Sequence, residues 1–319
     1  MHVASSVTGN QRGAVLLLVL LVVALLAALV TEFAFSALVD LRLAETYRDT
    51  SRAYYLARGG IRAGQAILNR DRNDYDGRDE PWGRQEAAFP VGDGEVTVTI
   101  EDRDGRLAIN ALVDNGNPQG MQKARFQRLF SLLGLPAPEN LTAALIDWLD
   151  PDGEEYGQEG AQGAESGYYL GLTPPYQARN GPMKAIEELT LVRGFTAEVA
   201  AKLAPYLTLE GDMQVNINTA PAEVIASLYL DGGRPLQPEE GRAIAAACSL
   251  APMRAAADLA GAFPELAPLL PTGAELAYRL KYTSDRYRIR ALARVNDGSR
   301  VVTAVVRKSS NRILSLRVD

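Results

Sequence analysis

Seventeen uncharged apolar residues in a row, Ala14 to Val30 (AVLLLVLLVVALLAALV), constrain this chain more than any other feature. At about 1.5 Å of rise per residue, such a run is just long enough to cross the hydrocarbon of a bilayer as a helix. Thr31 and Glu32 follow, and the helical pattern continues past them. There is no proline from Asp40 to Asn69, and Tyr47, Tyr54, Ile61 and Leu68 recur every seven residues, setting one apolar stripe. Glu45 with Arg48, and Asp49 with Arg52, place opposite charges three residues apart. The spacing predicts one helix from Ala14 to Asn69, on the order of 80 Å long. Its first half would lie in lipid and its second half against a folded domain. A cleaved secretory signal would need a small-residue site after the apolar run, and Ala34-Phe35-Ser36-Ala37 is a poor one.

The reactive side chains narrow the chemistry. The only histidine is His2 and the only cysteine is Cys248, so a Ser-His-Asp triad, a Cys-His pair, a zinc finger and an internal disulfide all lack members. Cys248 lies in an Ala-rich helical run and reads as a buried, inert thiol. A net charge of −6 argues against a general nucleic-acid binder, which would normally show a basic face. No catalytic residues are expected.

Asp71 to Arg84 is a charged, glycine-containing break that should end the helix. Glu95 to Glu101 (EVTVTIE) alternates as a strand, Asp104-Gly105 marks a turn, and Leu107 to Asn110 reads as the paired strand. From about Asn115 to Pro271 the chain is Ala- and Leu-rich with helical spacing. Alternation returns from Tyr278 to Asn296, from Arg300 to Lys308 and from Ile313 to Val318, with Asn296-Asp297-Gly298 as a hairpin turn. Strands, a helical block, then strands again implies an insertion. The early and late strands would complete one antiparallel sheet on the long helix, because a lone hairpin is too little sheet to be stable.

The strongest chemical signal is acidic. No Lys or Arg occurs between Arg128 and Arg179, while Asp147, Asp150, Asp152, Glu154, Glu155, Glu159 and Glu165 crowd one Gly-rich segment. Hard oxygen ligands in a flexible loop suit Ca²⁺. The spacing is not that of an EF-hand: counting from Asp150, the sixth position is Glu155 and the twelfth Ala161. A solvated acidic loop is the plain alternative.

Taken together these motifs resemble a known family. Gln11-Arg12-Gly13 before an apolar helix is similar to the leader of type IV pilins and type II secretion pseudopilins. That resemblance implies cleavage by a prepilin peptidase after Gly13 and methylation of Ala14 as the new terminus. Most such proteins have a glutamate at the fifth mature position, and this chain has Leu18. A carboxylate in lipid is costly unless paired, so a subunit without one need not be added beneath another. This departure, the interrupted sheet, and the stretch Asp147-Trp148-Leu149-Asp150-Pro151-Asp152 followed by Gly163-Ala164-Glu165 and Tyr168-Tyr169 resemble the K-type minor pseudopilins.

The resemblance implies an α+β, type IV pilin-like fold with a large all-α domain inserted between strands. The expected organisation is leader 1–13, transmembrane helix 14–31, pilin-like core 32–114 and 276–319, and helical insertion 115–275. It implies a structural Ca²⁺ held first by Asp150, Asp152 and Glu165, then by Asp147 and Glu155. It also implies a protein of the inner membrane with its C-terminal domain in the periplasm, other minor pseudopilins as partners at the pseudopilus tip, and no nucleic acid.

One competing resemblance points elsewhere. Val215 to Leu228 and Leu189 to Leu207 are similar to parts of helix-hairpin-helix DNA-binding repeats. From Gly181 to Glu275, however, there are six basic and twelve acidic residues, which DNA would repel. The segment reads better as a helical packing module, with Asn218 or Thr219 capping the helix that begins near Pro221.

Overall fold

The computed structural model describes residues 11–84, 87–157, 160–270 and 279–319; most of the expected leader and Glu159 lie outside them. One helix, α1, runs unbroken over Gln11–Arg70, 60 residues or about 90 Å. It is long and apolar enough to cross a membrane. Every residue from Gly13 to Ala44 is exposed. Tyr47 is exposed as well, so the packed stripe begins later than the heptad spacing suggests. Opposite charges meet as Arg42–Glu45 and Arg48–Asp49 rather than in the expected pairs.

What packs is a line of small residues. Ala53 and Ala57 are fully buried, and Ile61 and Leu68 nearly so. At Gly60 a Cβ would come within 2.8 Å of Ala291 Cβ, and at Gly64 within 2.7 Å of Ile289 Cγ2. The absent side chains let α1 settle onto the sheet.

The sheet has five antiparallel strands in chain order: β1 (Ala87–Val91), β2 (Gly94–Asp102), β3 (Arg286–Val295), β4 (Gly298–Arg307) and β5 (Arg312–Val318). The break falls between β2 and β3, which pair from Gly94↔Val295 to Asp102↔Tyr287. Tyr287, Ile289, Ala291 and Ala293 face α1 from β3, and Val302, Ala304 and Val306 from β4. The two-residue β3–β4 turn sets Asn296 at φ 48, the left-handed region that asparagine tolerates.

Two local expectations fail. The partner of β2 in a hairpin is β1, whose Pro90 is acceptable because β1 is an edge strand. Leu107–Ala108 pairs instead, in parallel, with Leu207–Thr208 of the helical lobe, because both segments are buried and apolar on the lobe side. The lobe contains α2 (Gly120–Leu132), α3 (Pro138–Leu149), α4 (Ser166–Leu170), α5 (Ala197–Leu203), α6 (Ala222–Ala226), α7 (Pro238–Leu250) and α8 (Ala256–Ala262). Its core is continuous through Phe126, Phe130, Leu145, Leu189 and Ile225, and it draws in Leu107, Ile109 and Leu112 on one flank and Leu280 on the other. Cys248 is buried there, and burial pushes its thiol up to about 11.

Asn218 and Thr219 do not cap α6, whose N-cap is Pro221. Asn218 exchanges hydrogen bonds with Met253, donating to its carbonyl at 2.8 Å and accepting from its N–H at 2.8 Å. The Thr219 hydroxyl donates to Asp102. Both side chains are buried and already paired within the protein.

Candidate functional site: an acidic loop

Helix α3 begins at Pro138 and ends at Leu149, with Asp150 as its C-cap, whose N–H donates to Ile146 O. Its last turn therefore delivers Asp147, Trp148 and Asp150 to one spot. Trp148 is buried edge-on to Tyr169, 5.3 Å between ring centroids, and Tyr169 stacks on Tyr176. This aromatic wall fixes the chain on either side of the loop.

Asp150, Asp152 and Glu165 come together there, with one carboxylate oxygen from each within 4.8 Å of the others. Asp150 is 4% and Glu165 5% exposed, whereas Asp152 faces solvent. Asp150 Oδ1 and Glu165 Oε1 are buried without a hydrogen-bond partner. Glu165 Oε2 accepts from Ser166 N at 3.2 Å.

Asp147 is fully buried beside this group rather than within it. Its Oδ1 accepts from Tyr156 N at 2.9 Å, and its Oδ2 is unpartnered. Gly163 makes that approach possible, since a Cβ there would overlap Asp147 Oδ2. Glu155 is exposed and outside the group.

Sequence reasoning missed Asn180. It sits at φ 47, its Nδ2 donates to Asp152 O at 2.5 Å, and its Oδ1 is buried without a partner. It adds a neutral oxygen that a search for charge cannot find.

Orphaned oxygens in a buried cluster of like charge are expensive. Burial first, then Asp152, Asp147 and Glu165, push the Asp150 carboxyl up to about 7. Burial likewise pushes Asp147 up to about 6 and raises Glu165. Arg193 reaches the loop but gives its protons to neutral oxygens, Gly163 O at 3.0 Å and Gln162 Oε1 at 3.2 Å, while lying over the Tyr168 ring at 4.7 Å.

A second acidic group makes the contrast. Asp71, Asp76 and Glu80 also converge, but Lys308 Nζ is 2.7 Å from Asp71 Oδ2 and 2.9 Å from Asp76 Oδ1. Tyr287 OH, Ser284 N, Gly77 N and Trp82 Nε1 donate to the same carboxylates. None of its buried oxygens lacks a partner. That group has its own cation and a donor for each buried oxygen, whereas the loop group is a donor set suited to a hard divalent cation.

A membrane-length helix lying on an interrupted antiparallel sheet, with a helical lobe carrying an acidic loop, defines a pilin-like subunit with a large insertion. The model of the type II secretion system (T2SS), protein K family matches residues 105–211. Type II secretion system protein K of Pseudomonas aeruginosa is 32% identical over 238 residues, covering 70% of each chain. The protein of that name from Pectobacterium carotovorum is 34% identical over 243 residues, covering 70% of this chain and 71% of the other. A solved structure, that of the GspK-GspI-GspJ complex from enterotoxigenic Escherichia coli, aligns with a TM-score of 0.66 at 19% identity. It covers 86% of this chain and 99% of the other, a likeness of fold. The chain belongs to the type II secretion system protein K family. It is accordingly a minor pseudopilin that serves protein secretion, and the DNA-binding alternative falls away.

Proposed function

We propose that this subunit stands at the tip of the pseudopilus, anchored in the inner membrane with its lobe in the periplasm, and acts by assembly rather than catalysis. The observation that carries this reading is the first part of α1. It offers no acidic side chain from Ala14 to Val30, and Leu18 stands at the fifth position after Gly13. Such a helix has nothing to pair with the terminal amine of a subunit above, while the lobe blocks that place sterically. Partners would be other minor pseudopilins, as GspI and GspJ are for the solved relative. Prepilin peptidase would cut after Gly13 and leave a methylated Ala14.

The acidic loop would hold one Ca²⁺ through Asp150, Asp152 and Glu165, with the unpartnered oxygens of Asp147 and Asn180 close by and Glu155 at the rim. The ion would supply the missing positive charge and fix a loop too polar to bury itself.

Intact mass and N-terminal sequence of the chain recovered from membranes of a host with prepilin peptidase test the anchor. A chain that starts at methylated Ala14 supports the reading; one that keeps Met1, or starts near Ala37, refutes it.

A further inference from the structure

The sheet has a second face, turned away from α1, and its charge is opposite to that of the chain. Strand β3 reads RYRIRALAR from Arg286 to Arg294, and its buried positions alternate with Arg286, Arg288, Arg290 and Arg294 on the outward side. The register places Arg307 of β4 opposite Arg286, with Arg312 of β5 beside Arg307, and Arg317 of β5 beside Thr303. Against these seven arginines the outward positions of β2 offer Glu95 and Glu101. Asp319, opposed to Val301, adds a third carboxylate, so the side chains of the face carry a net +4 on a chain of −6, and none of its cations is lysine.

Part of that charge is used internally. Arg286 binds Asp104 and Asp212 where the lobe joins the sheet. Arg288 shares Glu101 with Arg106, at 2.5 and 3.3 Å. Arg307 meets Asp285, and Arg317 meets Glu187 and Asp319. Arg290, Arg294 and Arg312 are exposed and have no carboxylate within ion-pair distance among the described residues. Glu95, in register with Arg294, is exposed and forms no ion pair with it.

We propose that this outward sheet face is the docking surface for a carboxylate-rich surface of another subunit of the assembly. The proposal takes from the preceding reading only that the chain works in contact with other subunits. Arginine is the side chain suited to bidentate pairing with carboxylates. Arg290 and Arg294 stand about 13 Å apart along the strand, and Arg290 and Arg317 about 10 Å apart across it. Half-buried Leu292 and Val301 lie between them and offer an apolar floor.

A lipid surface is too far away to be the occupant. The first buried residue of α1 is Asp49, nineteen residues beyond Val30, so the sheet begins about 28 Å above the bilayer, or about 21 Å at a 40° tilt. The screening length at physiological salt is about 8 Å.

The test uses the full chain in zwitterionic nanodiscs, with a fluorescein-labelled poly-L-glutamate 20-mer as probe, read by anisotropy at several salt concentrations. Wild type should bind with an affinity that falls as salt rises. R290E/R294E should bind at least tenfold more weakly at an unchanged melting temperature, and R290K/R294K should fall between the two. In cells, a photo-crosslinker at Thr303 should give an adduct with another secretion subunit through a peptide rich in Asp and Glu, lost in R290E/R294E. Undiminished poly-glutamate binding by R290E/R294E overturns the proposal. So does an adduct only to lipid or to a second copy of this chain, or no adduct at all. Failure of cleavage after Gly13 would sink the tip reading alone, since the nanodisc measurement needs no processing.

Discussion

Replacing Asp150 by asparagine should stabilise the lobe in one condition and destabilise it in another. Without a divalent cation, Asp150 and Glu165 are buried like charges with oxygens within 4.8 Å. At an effective dielectric of about 20, two unit charges at that separation repel by roughly 3 kcal/mol. Asp150→Asn removes that repulsion while keeping the side-chain shape. For a lobe of this size each kcal/mol shifts the midpoint by about 2–4 °C, so the ceiling is a rise of about 6–12 °C in chelator. The sign with pH follows from burial, which holds the Asp150 carboxyl up to about 7 rather than 3.8. The folded lobe binds that proton more tightly than the unfolded chain, so metal-free stability falls as pH rises from about 4 to about 7. The benefit of Asp150→Asn should therefore be full at pH 8 and absent at pH 4.

With Ca²⁺ at about a thousand times its dissociation constant the wild type gains about 4.1 kcal/mol, more than the roughly 3 kcal/mol of relieved repulsion, and the variant, lacking a charged ligand, should lose most of it. Thermal unfolding of the full chain in detergent, in EGTA and in millimolar Ca²⁺, would read both effects. The order of the two midpoints should reverse between the conditions. A variant that is less stable by the same amount in both would show that Asp150 is only a packing residue, and the cation argument would fail.

Arg193→Ala should free the loop at Gly163 and Gln162 and weaken Ca²⁺ binding by about 10–100-fold, measured by titration calorimetry, while the metal-free midpoint moves little. Gly64→Val should cost about 1–3 kcal/mol by pressing on Ile289, and Ile289→Ala should recover part of that in a double-mutant cycle by chemical unfolding. Lys308→Met should cost about 3–5 kcal/mol by leaving Asp71 and Asp76 buried without their cation. Burial pulls the Lys308 ammonium down, but its bonds to Asp71 and Asp76 outweigh that and raise it. The wild-type advantage should thus hold below about pH 10.5 and fade as pH rises further, visible in midpoints at pH 7 and 11.

The elements that sequence foretold are those with an unambiguous period. Strand β3 alternates strictly, and β4 does so from Val301 onward, because one face of each lies on α1, and the helix was legible from its unbroken apolar and then amphipathic run. Strand β1 was not, because Ala-Ala-Phe-Pro-Val has a proline and no alternation, and only its place at the edge tolerates it. Leu107–Ala108 has the composition of a hairpin partner, but a two-residue buried segment satisfies its backbone wherever a neighbour is available, and the lobe supplied one. Asp150, Asp152 and Glu165 announced themselves by charge without counter-charge. Asn180 is neutral and fifteen residues further on, so nothing but the fold joins it to them. Tyr47 kept the heptad spacing but lies on the membrane side of the point where the sheet begins, and spacing along a helix carries no information about where its partner starts.

The interruption between β2 and β3 has a consequence for the order in which this protein can form. Roughly 180 residues separate two strands that must lie side by side. Closing a flexible loop of that length costs on the order of 4–5 kcal/mol before any pair of strands is made. A folded lobe removes that cost by holding its own ends together: Asp285 N donates to Asp104 Oδ2 at 2.8 Å and Arg103 N to Arg286 O at 2.9 Å. A sheet that forms after the lobe avoids that cost. If, as proposed, the acidic loop takes its cation only in the periplasm, the long helix would acquire its docking platform only after translocation, and the subunit would not mature on the wrong side of the membrane.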